Sequence, residues 1–123
     1  MSSCANVALS GCLAVDIGRY YNPTIEETDE AGDVESFLGS TLQMKIRLTP
    51  ETADLLVLDE VATDQETGIL IPDKNFLRFQ IIIMATGSAA FDEGRHYFEI
   101  DATDSNGNIT VFLTGTLQFN KVF

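Results

Sequence analysis

Any chemistry this chain performs would have to come mainly from its carboxylates. The 123 residues hold 19 acidic side chains but one histidine, two cysteines and no tryptophan. The densest acidic group is Glu26, Glu27, Asp29, Glu30, Asp33 and Glu35, six carboxylates within ten residues. Such a cluster suggests calcium, but calcium loops place their ligands at set intervals around a glycine turn, and this spacing matches none. The cluster reads as a solvated hairpin tip; the alternatives are a cation site and a docking patch for a basic partner. The stretch Asp101 to Asn108 also looks like a calcium loop at first sight. Its glycine comes too early for the motif with acidic residues at positions 1, 3 and 5, so a hairpin explains it better.

Glu99 and Asp101 fall two residues apart, hence on one face of a strand at roughly 7 Å. Paired carboxylates can hydrolyse glycosides. Without a tryptophan platform to stack a sugar, two on an isolated strand are weak grounds for that activity. His96 would need a nucleophile and an orienting partner to act as a general base. No Gly-x-Ser-x-Gly elbow or reactive-cysteine context supplies them, so it reads as a strand-face or core-edge histidine. Gly87-Ser88 and Gly115 open no phosphate-binding loop. Cys4 and Cys12 read as two reduced thiols, with a small terminal bridge as the alternative. No catalytic residue, metal site or cofactor is therefore expected.

Apolar residues near both ends raise a different possibility. Phe119, Val122 and Phe123 crowd the last strand, and Val7-Ala8-Leu9 and Leu13-Ala14-Val15 lie near the start. They either complete strands of this chain or pack on a neighbouring subunit. Burying one such side chain stabilises by roughly 1.5–3 kcal/mol, so a few could anchor an interface.

The elements that would position these residues are strands. Leu42, Met44, Ile46 and Leu48 alternate with Gln43, Lys45 and Arg47, a half-buried strand with a cationic outer face that Pro50 ends. Phe76 to Met84 is rich in aromatic and β-branched residues and suits a central strand. Thr67 to Ile71 makes a short strand, followed by a turn at Pro72 to Asn75. Ala85 to Glu93 is a long loop or one helical turn. Arg95 to Asp101 puts Tyr97, Glu99 and Asp101 on one face and His96, Phe98 and Ile100 on the other. Asn106-Gly107 then signals a hairpin of type I′, and Ile109 to Phe119 returns. On that strand Val111, Leu113 and Leu117 share a face, and Gly115 marks a bulge or a close approach. Leu13 to Ile25 holds one or two strands, and Asp29 to Asp33 a hairpin-like turn. About seven to eight short strands without a sustained helical period predict an all-β, antiparallel sandwich. Residues 1–123 make one domain.

A formal net charge of −12 argues against nucleic acid, which requires a basic face, and against anionic membranes. No apolar run reaches the roughly 18 residues of a membrane span. The first cation is Arg19, so the start lacks a secretory signal's basic region.

The order of signals resembles a group of small bacteriophage tail proteins, similar to the N-terminal domain of the baseplate upper protein that holds receptor-binding proteins. The resemblance rests on Cys4-Ala5-Asn6-Val7 and Gly11, Asp29-Glu30-Ala31-Gly32, and Gly39 to Arg47. It continues with Thr67-Gly68-Ile69, Phe76 to Phe79, Gly94, Tyr97 to Ile100, Thr103 to Asn108, and Phe112-Leu113-Thr114-Gly115. It covers nearly the whole chain with short motifs. It implies an immunoglobulin-like sandwich, no catalysis and assembly in several copies. The baseplate protein continues past this domain, so a stand-alone adaptor is expected here. The expectation is a non-enzymatic structural protein of a tailed-phage virion, in the tail or baseplate, made in the host cytoplasm. Its partners would be other virion proteins, contacted through Leu9, Phe119, Val122 and Phe123. The alternatives are a capsid decoration or head-completion protein, and a calcium- or carbohydrate-binding β-sandwich module.

Overall fold

The structure is a computed structural model that describes residues 11–26, 37–76 and 78–121. Among them are nine strands and one helical turn. These are β1 (Gly11–Asp16), β2 (Thr24–Glu26), β3 (Thr41–Arg47), β4 (Asp54–Leu58), β5 (Glu60–Val61), β6 (Gly68–Leu70), β7 (Arg78–Ile82), α1 (Ala85–Ser88), β8 (Gly94–Thr103) and β9 (Ile109–Asn120). They form a five-stranded sheet in the order β1-β9-β8-β3-β4 and a four-stranded sheet in the order β2-β7-β6-β5.

The all-β sandwich expected from the sequence is what forms. The first sheet sets β9, β8, β3 and β4 side by side, and the second places β2 beside β7 and β7 beside β6. Two details differ from expectation. The count is nine because β2, β5 and β6 are only two or three residues long. The pairing is mixed: β1 runs parallel to β9 and β5 parallel to β6.

Both sheets contribute to one core. Alternation buries Leu42, Met44 and Ile46 on β3, as their spacing predicts. Phe79 and Ile81 on β7 and Phe98 and Ile100 on β8 join them with almost no exposure. Phe37, just before β3, meets Phe79 and Phe112 edge-on at 5.9 and 5.3 Å. Such pairs add about 0.5–1.5 kcal/mol beyond the area they bury.

The β8–β9 hairpin forms where Asn-Gly predicts it, but not as a type I′ turn. Only Gly107 has positive φ, at 86°, and Asn106 does not. Instead the Gly107 amide donates to the Asp104 carbonyl at 3.0 Å. The Asp104 carboxylate accepts from the Asn106 and Asn108 amides at 2.9 Å each. A five-residue loop with one left-handed glycine replaces the two-residue turn. Further along, the pairing skips Phe112, passing from Ile100↔Leu113 to Asp101↔Val111. This bulge lies three residues before Gly115, where a bulge or a close approach was expected. It lets Phe112 pack against the core and turns Val111 outward, 53% exposed, so Val111 does not share a face with Leu113.

The helical turn α1 ties the loop after β1 to the second sheet. The buried Ser88 hydroxyl accepts from the Gly18 amide at 2.9 Å and donates to the Arg19 carbonyl at 3.0 Å.

Candidate interaction site

Of the four expected contact residues, Leu9, Val122 and Phe123 lie outside the described residues. Phe119 is described, and the structure corrects its role. Its side chain is fully buried within this chain. The ring stacks on Phe91 at 4.3 Å and meets the His96 ring edge-on at 4.8 Å. A ring enclosed in this way has no face left for a neighbour, so Phe119 completes the last strand and the core. The acidic group Glu26 to Glu35 lies outside the described residues except for the backbone of Glu26 in β2, and Cys4 lies outside them too. Cys12 stands in β1 opposite Thr116.

His96 lies where the sequence puts it, on the inner face of β8 at the core's edge. Phe91 meets it edge-on at 5.5 Å, and Nδ1 stands 3.4 Å from the Gly94 carbonyl. Aromatic packing holds this imidazole.

Above His96 opens a groove of about 650 Å³. Leu48, Leu55, Leu56 and Phe91 give it apolar walls, and Asp92, Glu93 and Arg95 stand at it with polar groups. Volume and lining fall in the range of sites that bind ligands or side chains. One wall belongs to β4, the last strand of its sheet among the described residues. On β4, Leu56 and Leu58 turn to the core, while Leu55 and Val57 are 54% and 40% exposed. Leu48, just past β3, is 55% exposed. An edge strand presents unpaired amides and carbonyls, a template for another strand. Here it is flanked by exposed apolar side chains and opens onto an apolar groove.

The local cause lies in how β4 ends. It pairs with β3 only from Asp54 to Leu58, with a bulge near Ile46 and Arg47. The chain then crosses to the second sheet as β5. The Glu60 carboxylate accepts from the Leu42 amide at 2.7 Å and binds the Lys74 ammonium at 3.1 Å, holding that crossing in place. At the other end the Arg47 guanidinium pairs with Asp54 at 2.6 Å.

A second cluster covers the outer face of the five-stranded sheet. Pairing sets Lys45 opposite Glu99 and Arg47 opposite Tyr97, so the cationic face expected on β3 meets the acidic face expected on β8. The Lys45 ammonium reaches Asp101 at 3.3 Å, and the Tyr97 hydroxyl donates to Glu99 at 3.3 Å. Asp101 is buried, and its Oδ1 has no fixed hydrogen-bond partner. A shared hydrogen bond with Asp101 raises the Glu99 pKa above the ordinary carboxylate value, and partial burial adds to this. Burial, with Glu99 beside it, likewise pushes the Tyr97 phenol up. Each charged group in this cluster is engaged by another, so the cluster braces two strands.

Among the described residues, no group of three or more His, Cys, Asp or Glu side chains is placed to hold a metal ion, and no helix is long and apolar enough to cross a membrane. The sequence reading missed the groove. Leu55 to Leu58 is in sequence only an apolar run in an acidic frame, and Phe91 falls in the stretch read as a long loop or one helical turn. The legible signal was Asp54 and Asp59 bracketing four apolar residues, which is how a charged frame marks an exposed edge. No protein-family model matches this chain, and no curated protein matches it either.

Proposed function

We propose that this chain is a non-enzymatic assembly subunit that joins its neighbours through the open β4 edge and the groove beside it. The observation that carries this reading is the coincidence of a terminal strand, exposed Leu55 and Val57, and an apolar groove sharing the Leu55 wall. Strand addition to such an edge supplies main-chain hydrogen bonds, and the groove supplies side-chain selectivity. A non-enzymatic role is supported by the packing of His96 between aromatic rings and by the mutual pairing of Tyr97, Glu99, Asp101 and Lys45.

The context we assign follows from the resemblance to small tail proteins: a tailed-phage virion, in the tail or baseplate, in several copies among other structural proteins. Leu9, Val122 and Phe123 complete the proposed contact set. The acidic surface keeps free copies apart before assembly and selects basic faces on partners.

The test is to co-express the full chain with the products of adjacent genes and to image the purified complexes. The expected result is incorporation into a ring or tube around a tail axis. Incorporation into a shell lattice would instead make it a capsid decoration protein. A chain that stays monomeric throughout, and whose melting temperature climbs when calcium or a glycan is added, would overturn the assembly reading in favour of a binding module, because ligands that bind only the folded state stabilise it.

A further inference from the structure

We infer that the β4 edge and its groove take an extended, basic segment of a different protein, with one bulky apolar side chain seated in the groove. This deepens the assembly reading and rests on it. Geometry fixes the shape of the occupant. β4 offers five residues of edge, so the incoming segment pairs over a similar length of about 17 Å. In a strand, successive side chains point to opposite faces. One set therefore lies over the outer face beside Val57 and Lys45, and the other faces inward, where Leu56 and Phe91 line the groove. The apolar groove walls select an aromatic or long aliphatic anchor from that second set.

Charge fixes the chemistry of the remaining side chains. Glu51 stands exposed in the turn that leads into β4, and Asp59 stands exposed directly after it. Asp92 and Glu93 stand at the groove, where Arg95 is the one cation among the lining residues. The two nearby β3 cations are already engaged, Lys45 by Asp101 and Arg47 by Asp54. The frame of the edge is thus acidic on every side described. A second copy of this chain would bring the same carboxylates, and a formal charge of −12, against them. Lysine or arginine flanking the anchor meets this frame with opposite charge, which favours a foreign basic strand over self-pairing.

The full chain would be titrated with three synthetic peptides. The first alternates lysine and valine around a central phenylalanine, the second has glutamate for lysine, and the third has serine for the phenylalanine. Two variants change exposed groove residues, Leu55→Ser and Ala90→Trp, and circular dichroism would verify their fold. The first peptide is expected to bind, more weakly as salt rises. The other two peptides, and either variant with the first, should bind at least about tenfold more weakly. Equal affinity for the basic and acidic peptides, or no effect of either variant, would overturn the inference. Assembly with neighbours that Leu55→Ser abolishes, with no peptide binding, overturns the basic partner but leaves the assembly reading standing. Neither assembly nor peptide binding overturns both.

Discussion

Two carboxylates on one strand face repel when both are ionised, and at Glu99 and Asp101 the cost depends on pH. The Glu99 pKa is raised in the folded chain, first through its hydrogen bond with Asp101. Folding therefore binds a proton more tightly at this site. The stability this contributes is fully present below the ordinary value of 4.5 and is lost as pH rises through the raised folded value. At neutral pH the ionised pair works against the fold. Glu99→Gln keeps a donor toward Asp101 without the charge. The variant should melt higher than the parent at pH 7, and the gap should close as pH falls toward 4. A gap that does not change with pH would mean that ionisation of Glu99 does not oppose the fold. Phe119 poses a different case, a residue whose removal costs packing rather than charge. Its ring stacks on Phe91 and is wholly enclosed. Phe119→Ala should lower unfolding free energy by about 3–5 kcal/mol, a cavity-scale loss measurable in urea. Loss of assembly with unchanged stability would instead return Phe119 to an interface role.

At the scale of elements, the crossing from β4 into β5 is closely packed against β6. A Cβ on Gly68 would collide with the Asp59 carbonyl and the Val61 side chain, and the carbonyl is backbone that cannot swing away. That carbonyl also accepts from the Ile69 amide at 2.9 Å. Gly68→Ala should therefore push β6 off β5 and cost about 1–3 kcal/mol in a denaturant titration. An unchanged midpoint would show that the crossing has slack. The same region shows what sequence can and cannot disclose. β3 and β8 were legible because one face of each is buried, so apolar residues alternate. The hairpin after β8 was legible because Gly107 is needed at positive φ, although the turn type was not, since Asp104 supplies side-chain acceptors that a type I′ turn lacks. β5 was not legible, because two residues carry no period. The bulge at Phe112 was not legible, because a bulge set by core packing leaves no local mark, and Gly115 signalled only a bulge or a close approach. The groove escaped for a related reason: Leu48, Leu55, Phe91 and His96 come from separate segments, and only the assembled sheet brings them together.

For the whole molecule, an open apolar edge and a charge of −12 are opposed. Edge strands pair with one another unless something prevents it, and in this chain β4 lacks lysine and proline, two common protections. What it has is an acidic frame, so its protection is electrostatic and can be titrated. At neutral pH and low salt, two copies approaching edge to edge bring together carboxylates from Glu51 and Asp59, and self-repulsion keeps them apart. Added salt shortens the reach of that repulsion to about 10 Å at 0.1 M and about 3 Å at 1 M. Lowering the pH toward the isoelectric value near 4.1 removes it. The chain should therefore be smallest at neutral pH and low salt, and its mass by light scattering should increase as pH falls toward 4 or as salt rises. Circular dichroism at each step would verify that the strands persist. Val57→Lys places a charge on the outer face of the edge and should suppress the increase while leaving the fold intact. If Val57→Lys associates as readily as the parent, copies meet elsewhere on the surface. If mass stays constant across the whole range, charge is not what keeps β4 unpaired.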